Sequence, residues 1–418
     1  MNPVAESLEA APPAQAIRTK TTIGLCFIVA LLEGLDLQAP GIAGPGMAAA
    51  FQLDKAWMGW IFGAGILGLL PGALVGGRLA DRIGRKWVLI AAVILFGVFS
   101  IATAYAWDAI SLLVARFMTG VGLGAALPNL IALSSEAAGP RHRGLAVSLM
   151  YCGVPLGASL AALIGLGGFE TGWKTVFFVG GIAPLLVAPL LAFWLPESAA
   201  FRERQQQRAQ GENAIAPPSL WQGLFKEGSA VPTLLLWVAY FFTLMVVYML
   251  INWLPSLIIG QGFAANQANL VMFSLQIGAT LGTLALGALM DRLHPMLMTV
   301  LTYLGILAAL MALGAAANFN SMLGAGFIAG FFAVGGQLVL YALAPLFYQT
   351  EVRASGVGSA VAVGRLGAMT GPLVAGHMLA TGAGAAGVML ASAPGILLAA
   401  CAMSYLLLQR RRQDLALN

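Results

Sequence analysis

Gly77-Arg78-Leu79-Ala80-Asp81-Arg82 returns 210 residues later as Gly287-Ala288-Leu289-Met290-Asp291-Arg292. The same offset carries Gly68 to Gly278, Gly120 to Gly330, Arg143 to Arg353 and Gly157 to Gly367, and chance matches would not share one offset over so much chain. The chain is two copies of one unit in a single register. Each copy must be mostly embedded in lipid, because hydrophobic residues make up 60% of the 418 and charged residues only 9%, with mean hydropathy +0.88. A soluble chain carries roughly 25% charged residues.

Cutting at charges and turn clusters gives twelve apolar spans: 20–46, 57–79, 87–106, 109–133, 144–168, 173–195, 231–259, 267–290, 296–316, 321–349, 355–379 and 385–408. The polar stretch 196–230 divides them six and six and reads as a linker with one amphipathic helix. The expected organisation is a tail over 1–19, a six-helix bundle over 20–195, the linker, a second bundle over 231–408 and a tail over 409–418. The first span reads as its own insertion signal, with no removable peptide. Seventeen of the 21 Lys and Arg fall in the tails, the linker and the loops of one side. Only Lys55 and Lys174 fall on the other, and Arg116 and Arg365 lie within spans. This bias predicts that both termini are cytoplasmic. It also removes nucleic acid as a partner despite a net charge of +5, because the cations line a membrane face in short loops. Since both copies then insert with the same orientation, a pseudo-two-fold axis runs along the membrane normal, with a site between the halves near the midplane. That is the layout of a transporter.

Charges inside the spans mark where the work is done. Glu33 lies thirteen residues beyond Lys20, roughly 20 Å deep at about 1.5 Å per residue, in a core about 30 Å thick. An ionised carboxylate there costs at least ~2.5–3.5 kcal/mol. Asp36 is three residues on, expected on the same helix face. Two acids so close repel, and with burial this favours keeping a proton on one of them, as a proton carrier requires. A structural pair with Arg116, or a helix-capping role, is the other reading of these acids. For Arg116 itself, a structural clamp and a proton-coupling role both stand. Arg365 is the one cation within the second half's spans, where no carboxylate is available to neutralise it. Its planar fork suits a substrate carboxylate; backbone carbonyls and water are the other possible partners. Asn129, Tyr248, Asn252, Gln276, Gln337 and Tyr341 are candidates to complete a pocket. Trp237 and Trp253 read as interfacial belt residues, and His377 as an interface residue.

Cys26, Cys152 and Cys401 show no metal-ligand spacing and read as buried free thiols, with neither a metal site nor disulfides. No Gly-Lys-Ser/Thr phosphate loop, His-Glu-x-x-His or Gly-x-Ser-x-Gly is present, so ATP use and hydrolytic catalysis are unsupported and an enzyme is not expected. A membrane sensor or embedded enzyme would need an output domain or a catalytic constellation.

The loop from Gly77 through Asp81, Arg82, Gly84, Arg85 and Lys86 resembles the loop signature of the major facilitator superfamily. Arg116 with Gly120, Gly122 and Gly124, and Pro196-Glu197-Ser198, are similar to further motifs of that superfamily. The resemblance implies an all-α membrane protein of twelve helices in two pseudo-symmetric bundles, with the loop as a gate or an anchor at the anionic leaflet. Glu33-Gly34-Leu35-Asp36 resembles the paired-acid motif of the aromatic acid:proton symporters, which usually reads Asp-Gly-Phe-Asp. Glu33 and Leu35 are departures: a longer acidic arm and a lost ring. Stretches such as Trp60 to Gly77 and Tyr248 to Pro255 resemble a branch of that family carrying phenylpropionate-type acids. The resemblance implies import of a small aromatic carboxylate across a bacterial inner membrane, with the proton as coupling ion and no cofactor. A monomer in the bilayer is expected. An exporter of aromatic or amphipathic compounds would use the same fold.

Overall fold

The computed structural model describes residues 13–167, 172–198, 201–202, 225, 230–290, 292–348 and 353–417. Most of the expected linker 196–230 and the first twelve residues of the expected tail lie outside them, as does Asp291 of the repeated loop. Among the described residues, twelve helices are long and apolar enough to cross a membrane. They are α1 (Thr19–Phe51), α2 (Lys55–Ile83), α3 (Arg85–Ala104), α4 (Ala109–Ala137), α5 (Arg143–Leu166) and α6 (Lys174–Trp194), then α7 (Ala230–Gly260), α8 (Ala265–Met290), α9 (Pro295–Ala315), α10 (Phe319–Phe347), α11 (Gly356–Ala380) and α12 (Ala385–Arg410). Helical structure runs back to Pro13 before α1 and on to Leu417 after α12, so much of what was expected to be tail is helix.

Local signals explain the helix ends. Asp54 caps α2 by accepting a hydrogen bond from Trp57 N at 2.7 Å. Asp108 and Ser111 form a reciprocal capping box at α4, and Asn318 and Ser321 form one at α10, again 210 residues apart. The bonds from Ser111 hold the Asp108 carboxyl below the usual carboxylate range. Gly84, at φ +103°, ends α2 and starts α3, a conformation that favours glycine. Two helices depart from regularity. In α5 the helix is interrupted at Cys152, and α10 contains a π turn over Gly330–Val334, just before Gln337.

Glycine sets the packing. A methyl group on Gly68 would overlap the carbonyl oxygen of Phe117, and one on Gly278 would overlap that of Phe327. The same holds for Gly120 on Gly65 and Gly330 on Leu275, and for Gly157 on Leu31 and Gly367 on Phe241. These pairs bind α2 to α4 and α1 to α5 in the first half, and α8 to α10 and α7 to α11 in the second. Small residues allow backbones this close, which is how helices associate in lipid. Every contact recurs at the offset of 210, so the repeat is one of packing as well as of sequence.

The two halves meet along α2 with α11, α5 with α8 and α1 with α7. Because the number of spans is even, both termini lie at one end of the molecule. The seams described lie between the middle and the opposite, far end. Gly59 abuts the Pro372 carbonyl, Gly376 abuts that of Lys55, and Phe62 stacks edge-on against Trp253 at 5.2 Å. Outward-facing positions carry large apolar side chains, among them Leu74, Leu186, Phe193 and Leu390, as a lipid-facing surface requires.

Two expectations change, for the tryptophans and for one cysteine. Trp253 is buried and donates to the Pro372 carbonyl at 2.9 Å, and Trp237 donates to Ser359 Oγ at 3.0 Å, so neither is a belt residue. Their helices turn these rings toward α11 rather than outward. Cys26 and Cys152 are buried, but Cys401 is exposed on α12, where lipid rather than protein would surround it. His377 is exposed near the far end of α11.

Replacing Gly157 or Gly367 with Ala forces a backbone apart and should cost about 1–3 kcal/mol. Gly24, with nothing near its Cα, is the control. Thermal unfolding in detergent should show lower midpoints for Gly157→Ala and Gly367→Ala, and an unchanged or higher one for Gly24→Ala.

Candidate functional site

A cavity lies between the halves, lined from the first by Glu33, Gln38, Leu127, Tyr151 and Pro155 and from the second by Tyr248, Gln276, Gln337, Tyr341 and Arg365. Helices α1, α4, α5, α7, α8, α10 and α11 all reach it. Six of these positions form three symmetry pairs at the offset of 210, namely Gln38 with Tyr248, Leu127 with Gln337, and Pro155 with Arg365. Two of the three pairs place an apolar residue in the first half against a polar one in the second. The symmetric scaffold therefore holds a lopsided pocket, and its cation belongs to the second half.

Arg365 Nη1 donates to Tyr248 Oη at 2.6 Å, with the guanidinium 5.9 Å from the Tyr248 ring centroid. Tyr151 and Tyr341 stand near enough to sense its charge, as does Glu33. Gln337 Nε2 donates to Tyr341 Oη at 2.6 Å, and the Tyr341 ring lies 5.5 Å from that of Tyr240. Glu33 is 2% exposed, and its Oε2 accepts no hydrogen bond. The pocket thus presents a guanidinium held by a phenol, an acid with an unpartnered oxygen, and aromatic walls. That combination can take up an anion with a flat apolar body, together with a proton.

Glu33 and Asp36 do not share this site. Asp36 is fully buried within the first half, where Oδ1 accepts from Arg116 Nη1 and from Ser100 Oγ, each at 3.2 Å. Ser100 bridges on to the Phe177 carbonyl, and the Arg116 guanidinium lies 5.5 Å from the Phe177 ring centroid. Three residues of helix turn the second acid by about 60° from the first, enough to move it from the cavity wall into the bundle between α1, α3, α4 and α6. The structural pairing with Arg116 expected as one reading of these acids holds for Asp36 and not for Glu33.

Of the candidate pocket residues, Tyr248, Gln276, Gln337, Tyr341 and Arg365 come together. Asn129 and Asn252 do not. Each donates to its own helix, to the Ala125 and Tyr248 carbonyls at 2.8 Å, away from the cavity lining. Sequence reasoning missed Gln38, Tyr151 and Leu127. The symmetry offset would have found Gln38 and Leu127, because their mates Tyr248 and Gln337 were already candidates.

At the terminal end, the loop from Gly77 to Lys86 joins a network within the first half. Glu197 accepts from the backbone N–H of Arg85 at 2.9 Å and of Lys86 at 3.2 Å, neutralising the start of α3. Arg85 pairs with Glu136, which also accepts from Ser198 Oγ. Lys86 Nζ donates to the Ala192 carbonyl at 2.7 Å. Asp81 and Arg82 are exposed beside it. The Pro196-Glu197-Ser198 motif and the loop motif are thus two sides of one clamp.

Known proteins match this arrangement over nearly its full length. The family model of the Major Facilitator Superfamily covers residues 26–319 and 262–417. The 3-(3-hydroxy-phenyl)propionate transporter of Escherichia coli (strain K12) is 65% identical over 401 residues, which are 96% of this chain and 97% of that one. The gallate transporter of Pseudomonas putida is 37% identical over 390 residues, 86% of this chain and 85% of its own. The 4-hydroxybenzoate transporter PcaK of Pseudomonas putida is 36% identical over 385 residues, 86% of each chain. In fold, the inward open conformation of the xylose transporter XylE from E. coli superposes with a TM-score of 0.75 at 17% identity, covering 91% of this chain and 95% of that one. A match that runs through both halves, to relatives and solved structures alike, makes this chain a multi-pass membrane protein of the Major Facilitator Superfamily.

Proposed function

We propose that this protein is a proton-coupled secondary importer of an aromatic carboxylic acid, 3-(3-hydroxyphenyl)propionate, in a bacterial inner membrane with both termini cytoplasmic. The observation that carries the reading is the meeting of Arg365, Tyr248 and Glu33 in one cavity between two symmetric halves. The relative at 65% identity, named for that substrate, supports the choice of acid. The relatives named for 4-hydroxybenzoate and gallate support aryl acids as the class.

Arg365 anchors the carboxylate through its fork, while Tyr151, Tyr248 and Tyr341 wall the ring. Glu33 carries the proton. Neutral Glu33 leaves Arg365 to the substrate, whereas ionised Glu33 competes for it, so proton and anion load together. With both aboard, the cavity charges are compensated and the halves can rock without an unpaired charge in the low-dielectric core. One proton with one monoanion moves no net charge, so the pH gradient drives the cycle unless more protons travel. The seams at the far end then correspond to closure on the outer side. The Asp36–Arg116 pair holds α1 to α4 inside the first half and moves with it as a rigid body. The Arg85–Glu136–Glu197 clamp braces the cytoplasmic end of that half, next to the gating residues Gly77, Asp81, Arg82, Gly84 and Lys86. The coupling ion is the proton, and the working unit is a monomer.

Uptake into proteoliposomes should rise as the external pH falls, since the proton is a co-substrate, and should collapse when a protonophore dissipates the gradient. Uptake that ignores the gradient would sink the symport reading. Glu33→Gln should abolish gradient-driven accumulation yet retain counterflow exchange, while Arg365→Lys, losing the planar fork, should raise KM at least about ten-fold. For the structural pair the expectation differs. Arg116→Met strands a buried carboxylate and should cost about 3–5 kcal/mol, read as a lowered unfolding midpoint, and Asp36→Asn in the same chain should restore much of it.

A further inference from the structure

Two glutamines in the cavity are unaccounted for by the anchoring of a carboxylate or by proton carriage. Gln276 Nε2 donates to Gln38 Oε1 at 2.7 Å, and Gln38 Nε2 donates to the Ile251 carbonyl at 3.0 Å. Both side chains are buried, at 2% and 1% exposure, and both line the cavity. The arrangement crosses from one half to the other. It leaves Gln276 Oε1 and the second N–H of Gln38 without a partner among the described residues. An amide has two donors and two acceptor sites, and open valences on buried amides are costly unless an occupant meets them.

Their position gives the occupant's orientation. Arg365 stands on α11, which packs against α2, whereas Gln276 stands on α8, which packs against α5. Helix α7 touches both and lies between them. Two helix spacings of about 8–10 Å each therefore separate the axes that carry the cation and the amide. Long side chains reach inward from both. An aryl acid lying across the cavity with its carboxylate on Arg365 would turn the far edge of its ring toward the α8 side, where the glutamines line the same cavity. The other polar pair in the lining, Gln337 with Tyr341, is on α10 of the second half alone, joined by its 2.6 Å bond, with Tyr341 near enough to Arg365 to sense its charge.

We infer that the Gln38–Gln276 amide pair reads a hydroxyl on the aromatic ring, accepting the phenol O–H at Gln276 Oε1 and donating the free Gln38 N–H to the phenol oxygen, and so selects hydroxylated over unsubstituted arylpropionates. This deepens the aryl-acid reading above and rests on it. The pair is lodged in the seam between the halves, so the hydroxyl is sensed where the halves part.

The test compares 3-(3-hydroxyphenyl)propionate with 3-phenylpropionate in proton-driven uptake by the full-length protein in proteoliposomes. The wild type should show a KM about ten-fold lower for the hydroxylated acid, the scale of one buried hydrogen bond. Gln276→Met, similar in volume but unable to accept in that way, should bring the ratio of the two KM values close to one. Gln276→Glu, which keeps an acceptor oxygen, should retain part of it. Equal wild-type KM values overturn the inference without any variant, whatever becomes of the variants' folding. An unchanged ratio in Gln276→Met, or a parallel loss of both acids, also overturns it and leaves a structural latch. If the wild type takes up neither acid, the aryl-acid reading itself has failed, a result distinct from uptake of both with equal KM.

Discussion

In hydrocarbon no hydrophobic force draws one helix to another, because lipid is as apolar as a leucine surface. Something else must hold a twelve-helix membrane protein together, and here it is close approach of backbone to backbone at glycine. Gly120 against Gly65, Gly157 against Leu31, and their mates Gly330 and Gly367 bring helices so near that no side chain fits between them. Each half becomes a dense unit whose internal pairings leave little freedom. The cavity lies at the seams between these units, outside either one. Alternating access by rocking needs that division, with rigid bundles and a separable seam.

The second constraint is charge. Each ionisable group at midplane depth requires a partner or a proton. Asp36 and Arg116 meet it within one half and can travel together without exposing either charge. Glu33 and Arg365 belong to different halves and share a cavity, so their balance changes with what occupies it. The two copies differ in charge, with the intramembrane acids in the first half and Arg365 in the second. At the offset of 210, Glu33 falls on Thr243 and Arg365 on Pro155, so neither charge has a counterpart. Duplication supplies the hinge and divergence supplies the chemistry.

Much of this was legible in the residues. The repeat, the hydropathy and the cation bias led to twelve helices in parallel halves, and the lone Arg365 pointed to an anion site. Five of the proposed pocket residues do line one cavity. Asn129 and Asn252 were equally good candidates by type, yet each satisfies its own helix, a choice that depends on rotamer rather than identity. Trp253 carried the composition of a belt residue and is instead a seam contact, because its ring turns toward α11 and donates to the Pro372 carbonyl.

The sequence by itself determined the spans, the symmetry and the presence of charges too costly to be idle, since these follow from local hydropathy and from matching positions at one offset. Which charge meets which was decided only by the tertiary structure. Glu33 and Asp36 sit at the boundary between the cavity and the bundle interior, about 60° apart around one helix. The approach of α3 and α4 to that helix puts Asp36 under Arg116 and Ser100 and leaves Glu33 facing Arg365. Likewise Gln38 and Gln276 are 238 residues apart and become partners only across the seam between the halves. Long-range pairings of this kind depend on helix rotation and on the seam, and neither has a local signature in the chain.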